Sequence, residues 1–231
     1  MTKKTEDSLI TTTDTLPARQ QSNLGLEHLT AEDVAMPRLS LAQAMSDQVN
    51  RTHADWIEGL GIGDMFNSVS MQNYGPGKLF FAILVASPPR AIEFASMDEG
   101  GGMLDPNVPL NDPRLLFGAD GSKPRATRFY DYILMINPGE DHEEMISLSL
   151  ARSGVRAAKA LNGLARMRGI DVFRGLYTVE SIQKTSSQGS FQTWRFRNAG
   201  TVPEHCVAPF AALHTSLAAT THTTATVVDA E

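Results

Sequence analysis

Residues 78–86 are apolar almost without interruption, the pattern of a strand buried on both faces. Pro88 and Pro89 end it, and residues 91–94 read as a short second strand. Residues 65–71 alternate loosely. Residues 127–136 form another strand, turned by Asn137-Pro138-Gly139, and residues 145–150 a third. Residues 151–168 carry the clearest helical period. Residues 176–184 and 190–197 read as a hairpin around the turn at 186–189. Between residues 96 and 123, Gly100 to Gly102, Pro106, Pro109, Pro113 and several aspartates predict a long loop. Several strands, one helix and a hairpin place the chain in the α+β class, mainly β. Strand order is not legible, but this element order fits a small antiparallel Greek-key barrel of the OB-fold kind with one amphipathic basic helix.

The ends differ from the middle. Residues 1–24 are rich in Thr, Ser, Gln and charge, and are expected to form a disordered arm. Residues 214–231 are Thr/Ala-rich and are expected to form a flexible tail. Residues 25–213 are then expected to form one OB-like domain, whose nucleic-acid-binding character is an expectation from the charge and aromatic patterns below. No apolar run reaches the roughly 18 residues that span a bilayer, so no membrane partner is expected. Cys206 is the single cysteine, which excludes an intrachain disulfide and suits a reducing cytoplasm.

The formal net charge of −6 at first argues against nucleic acid. Its distribution changes the picture. Residues 1–150 hold 11 Lys/Arg and 21 Asp/Glu, whereas residues 151–200 hold 9 Lys/Arg and only Asp171 and Glu180. A basic segment inside an acidic chain is either an anion-binding footprint or the internal partner of the acidic segments. At 100° per residue, Arg152, Arg156, Lys159 and Arg166 form one stripe uninterrupted by an acid. Leu150, Val155, Ala158, Leu161, Leu164 and Ala165 take the opposite side. The stripe reads as phosphate contacts or as a solvated face.

The hairpin adds aromatics. Phe191, Thr193, Arg195 and Arg197 share one face, and Gln192, Trp194 and Phe196 the other. With Tyr177 and Lys184 these residues suit single strands, because bases stack on rings while cations track the backbone. Only one face can serve, and the aromatics can equally be core.

Catalytic signals are weak. Asp141-His142-Glu143-Glu144 follows a Pro-Gly turn, and His205-Cys206 lacks the paired spacing of a zinc site. Gly61-Ile62-Gly63 lacks the third glycine of a dinucleotide fingerprint. Gly100 to Gly102 is not followed by the Lys-Ser/Thr of a phosphate loop. No enzyme, cofactor or metal is expected.

Met36-Pro-Arg-Leu-Ser-Leu-Ala-Gln-Ala-Met-Ser-Asp-Gln-Val49, followed by Trp56-Ile-Glu-Gly-Leu60 and Gly63-Asp-Met-Phe-Asn-Ser68, resembles the opening of a family of tailed-phage proteins. Its members are regarded as single-stranded DNA-binding or replication-associated proteins. The resemblance implies an OB-like fold and a role in coating single-stranded DNA during phage replication or recombination, with other replication proteins as further partners. Binders of this kind often end in a strongly acidic tail. Here the tail offers only Asp229 and Glu231, so it is not expected to recruit those partners.

Two rival readings stand beside DNA binding. One is a phage structural or interaction protein of a virion or transcription complex, without nucleic-acid binding. The other is a metal nuclease using acids of the 96–112 loop. The composition of the first residues makes its own prediction. Deleting residues 1–24 should leave the thermal melting temperature unchanged, because they contribute almost no apolar surface. A drop of many degrees would show that they pack on the core.

Overall fold

The computed structural model describes residue 28 and residues 35–96, 98, 100–186 and 189–226. The arm expected at 1–24 lies outside the described residues. Contacts divide the chain after Ala35, and the architecture below is that of the unit Met36–Glu231.

Among the described residues there are ten strands in two antiparallel sheets, and two α-helices. The small sheet holds β1 (Leu39–Leu41), β2 (Met65–Asn67) and β3 (Asn73–Gly75). The large sheet holds β4 (Leu79–Ala86), β5 (Arg90–Phe94), β6 (Met103–Asp105), β7 (Ala126–Ile136), β8 (Glu144–Ala151), β9 (Gly175–Ser186) and β10 (Gly189–Thr201). Helix α1 (Val155–Met167) connects β8 to β9, and α2 (Glu204–Thr226) follows β10. The α+β class expected from the sequence is the one observed.

β4 and β5 lie end to end along one edge of β7. Phe81 pairs with Ile136, Ala86 with Tyr132 and Arg90 with Phe129. They are one strand interrupted by Pro88-Pro89, which have no N–H to donate to a ladder. Ser87 N still donates to the Asp131 carbonyl at 2.9 Å. β8 occupies the other edge of β7. On the far side of β4 come β9 and then β10, and β6 adds to β5.

Strands, then a helix, then a hairpin is the element order expected from the sequence, and the hairpin pairs back onto β4. The barrel expected from that order is not formed. Among the described residues no hydrogen bonds join β8 to β10, so the sheet stays open where an OB barrel would close.

The residues around β1 bridge that gap. The Pro37 carbonyl accepts from both Ser147 N and Ser147 Oγ at 2.8 Å, beside β8. On the other side, Gln43 Nε2 donates to the Gln192 carbonyl at 3.0 Å. Gln43 Oε1 accepts from Gln192 N at 2.9 Å. A side-chain amide has the same donor and acceptor as a peptide unit, so Gln43 completes the edge of β10 as a strand backbone would. Gly63 closes the fit. Its φ of +93° suits glycine, and a Cβ there would lie 3.3 Å from the Gln192 side chain.

The main core forms inside this wrapped sheet. Phe81, Ile83, Leu134, Ile136, Ile146, Leu148, Val179 and Phe196 meet Leu39 and Met65 of the small sheet and Ala158 and Leu161 of α1. The middle of the outer face of β4 is also buried, while Phe80 and Ala86 on the same face are exposed. Ala82 and Leu84, with Met135 of β7, pack against Val202, Cys206 and Phe210.

That second cluster corrects the C-terminal boundary. The tail expected from residue 214 is helical through Thr226, and residues 227–231 lie outside the described residues. Thr-rich sequence and Pro209 obscure the helix locally. It is held by tertiary contacts, with Leu213 and Leu217 packed on the cluster and His214 Nδ1 2.7 Å from the Leu84 carbonyl. Among the described residues no helix is long and apolar enough to cross a membrane.

Replacing Gln43 with Ala should destabilise the fold by about 1–3 kcal/mol, because the Gln192 N–H and carbonyl lose their partners. Urea unfolding measures this. A midpoint equal to that of the parent would show that the Gln43–Gln192 pair does not hold the gap.

Candidate nucleic-acid interface

Helix α1 turns an apolar face inward. Ala158 and Leu161 are fully buried, and Val155, Leu164 and Ala165 pack around them. Its outward face carries Arg156, Lys159 and Arg166, all exposed. Arg152 is not on the helix. It opens a short 3-10 turn, Arg152–Gly154, with a left-handed φ of +49°. The four-residue stripe is therefore three helical cations plus one exposed cation just before them. Gly163 lies between Lys159 and Arg166 on the same face, and a Cβ there would meet nothing within 4 Å.

At the C-terminus of α1, Arg168 donates to Asn198 Oδ1 and to the Gly200 carbonyl of β10. Its guanidinium lies 5.9 Å from the Tyr177 ring centroid. That contact helps decide the fate of Tyr177. The ring is 1% exposed and packs 5.7 Å from Phe81. Burial pushes its hydroxyl pKa up. Tyr177 is core and cannot receive a base, which corrects the stacking role expected for it. The periodicity could not distinguish a stacking ring from a core ring on the same strand.

The other hairpin residues divide by face. Val179, Ser181 and Gln183 pair across the hairpin with Phe196, Trp194 and Gln192. Phe196 is buried against Phe81, whereas Trp194 is half-buried. Trp194 packs on the core and also lines a groove of about 420 Å³ with Arg38, Ser40, Gln48, Phe66 and Ser149. On the opposite face, Phe191 is half-buried across from the exposed Lys184. Arg195 and Arg197 both reach Glu180, at 3.4 and 3.2 Å. Those arginines, Arg197 first, hold the Glu180 carboxyl below its usual pKa.

Ion pairing thus sorts the cations. Arg195 and Arg197 share Glu180, and Arg90 pairs with Asp131 at 2.7 Å. Arg114 binds Glu93, Asp105 and Asp112, while Arg125 also reaches Glu93. By contrast, Arg152, Arg156, Lys159, Arg166 and Lys184 are exposed and form no ion pair among the described residues. The acids of the long loop are in part neutralised by Arg114, and no group of three or more His, Cys, Asp or Glu suited to a metal exists among the described residues. The Asp141–Glu144 turn is likewise engaged. Glu144 accepts from Asn67 Nδ2 and from the Tyr74 hydroxyl, both at 2.5 Å.

One further cation of the site is Arg38, which carries no signal of its own in the sequence. Nothing local in the Met36–Val49 block shows where a single arginine points. Its exposed position beside Trp194 is created by the bridging of the gap.

Residues 4–223 match the model of a family described as Pam3 phage gp34-like protein, a description that names a phage protein and no activity. No curated protein and no solved structure matches the chain.

Replacing Gly163 with Ala should raise stability by about 0.5–1 kcal/mol, since the helix gains propensity and the methyl meets no neighbour. A lowered melting temperature would show that the outer face of α1 is covered in solution.

Proposed function

We propose that the chain, which belongs to the Pam3 phage gp34-like protein family, binds single-stranded DNA and coats it during phage replication or recombination. One observation carries this reading. Arg152, Arg156, Lys159, Arg166 and Lys184 are exposed and form no ion pair among the described residues, although the chain as a whole is acidic. An exposed cation with no carboxylate partner keeps its charge available to a phosphate, and each such contact releases condensed counterions. Single-stranded nucleic acid rather than duplex is favoured because two half-buried rings, Trp194 and Phe191, accompany the cations. The role is that of a binding protein and not of an enzyme, with other replication proteins as candidate partners.

A second reading has its own support. Met103, Leu104, Leu110, Leu116 and Phe117 are exposed within residues 103–117, in the acidic part of the chain. Such residues suit a protein-facing surface of a phage structural or interaction protein.

The two readings separate in one titration. At roughly 50 mM salt the protein should bind an oligothymidylate more tightly than a duplex, with affinity falling as salt rises. A variant with Arg152, Arg156, Lys159 and Arg166 all changed to Gln should bind more weakly. Its slope of log affinity against log salt should shrink by about 0.7 per phosphate contact removed. No binding by the parent at that salt would leave the protein-interaction reading in its place. A folded variant with unaltered affinity and slope would instead show that the basic stripe is a solvated face and not the phosphate contact.

A further inference from the structure

The groove beside Trp194 continues into a second one of about 310 Å³, and the two share Arg38 and Ser149. Ser147 and Ser149 of β8 line the joined cleft. The small sheet adds Leu39 and Phe66 to one side, with Ser68 just after β2. Trp194 stands at one end, and Arg90 with Asp131 at the other. Each groove is of the size of ordinary ligand sites, roughly 300–1,000 Å³.

The charges in the cleft are not equivalent. Asp131 accepts from Arg90 Nε at 2.7 Å and from Ser149 Oγ at 2.5 Å, and the Arg90 guanidinium lies 5.2 Å from the Phe129 ring. Arg90 is thereby satisfied. Arg38 is held only by its main chain, whose N–H donates to Ser68 Oγ at 3.1 Å and whose carbonyl accepts from Ser68 N at 3.0 Å. Its guanidinium is exposed and has no ion pair among the described residues. A pinned backbone thus presents a free cation in a serine-lined cleft that ends at the half-buried indole of Trp194. That combination selects a ligand with an anionic group and a planar ring. The bases of a duplex are already stacked and paired, so only an unpaired one can meet Trp194.

We propose that this cleft is a nucleotide-binding subsite for a single strand, with Arg38 taking a phosphate and Trp194 taking a base. It rests on the single-strand reading above and adds where a base is held. The cleft is distinct from the basic face of α1, which tracks the backbone by charge alone.

The test uses the full chain carrying Trp56→Phe, which leaves Trp194 as the only tryptophan. The probe is an end-labelled oligothymidylate of about 16 nucleotides, the upper end of single-module site sizes. Label anisotropy reports binding, and indole emission reports Trp194. Binding should quench the emission. Adding Arg38→Gln should weaken binding roughly tenfold, the effect of losing one hydrogen bond to a charged group. It should also flatten the salt dependence by about 0.7. If anisotropy shows binding but the emission does not change, or Arg38→Gln binds like its parent, the subsite is overturned and the basic-face reading survives. If anisotropy shows no binding at roughly 50 mM salt, both fall together.

Discussion

Gln43 and Gln192 exchange two hydrogen bonds in which a side-chain amide takes the part of a strand backbone. Without a partner there, the inner edge of β10 would present its N–H and carbonyl groups to the gap beside β8. An unpaired polar group buried at such a seam costs free energy comparable to a lost hydrogen bond. The same segment reaches β8 through Pro37 and Ser147. Leu39 and Met65, carried in by this bridging, then complete the core that Phe81, Leu148 and Leu161 begin. The gap, the small sheet and the main core therefore depend on one another. Helix α1, whose apolar face closes the same cluster, is oriented by them.

The two sequence blocks that resemble a phage family meet at this seam. Gly63 N donates to the Ala42 carbonyl, and Ala42 N donates to the Asp64 carbonyl, both at 2.9 Å. Asn67, wholly buried, accepts from Val69 N and Ser70 N and donates to Glu144. Ser68 pins Arg38. Most of the pattern is thus explained by architecture. The side chain of Arg38 is the part that architecture leaves unused.

Electrostatics divide along the same lines. In the acidic part of the chain, Arg114 and Arg125 spend their charge on the carboxylates of Glu93, Asp105 and Asp112, tying the long loop to β5. In the basic segment only Glu180 offers the hairpin arginines a partner. Exposed pairs of this sort contribute little to stability. Their larger consequence is to remove Arg195 and Arg197 from the set of free cations and to leave the α1 face as the unopposed positive surface.

Local pattern determined much of this protein. The strands from residue 78 to 197, the helix between them and its basic outer face are legible because period-2 and period-3.6 burial repeat over enough residues to outweigh local noise. The excess of cations after residue 150 is legible from composition. Tertiary structure decided what depends on distant partners. α2 is helical because Phe210, Leu213 and Leu217 find the outer face of β4, which overrides poor propensity. Tyr177 is core rather than platform because Phe81 and Arg168 close over it. Arg152 leaves the helix because β8 runs on to Ala151 before the chain turns. The seam itself pairs residues 149 positions apart, a separation at which the periodicity of either segment carries no information about the other.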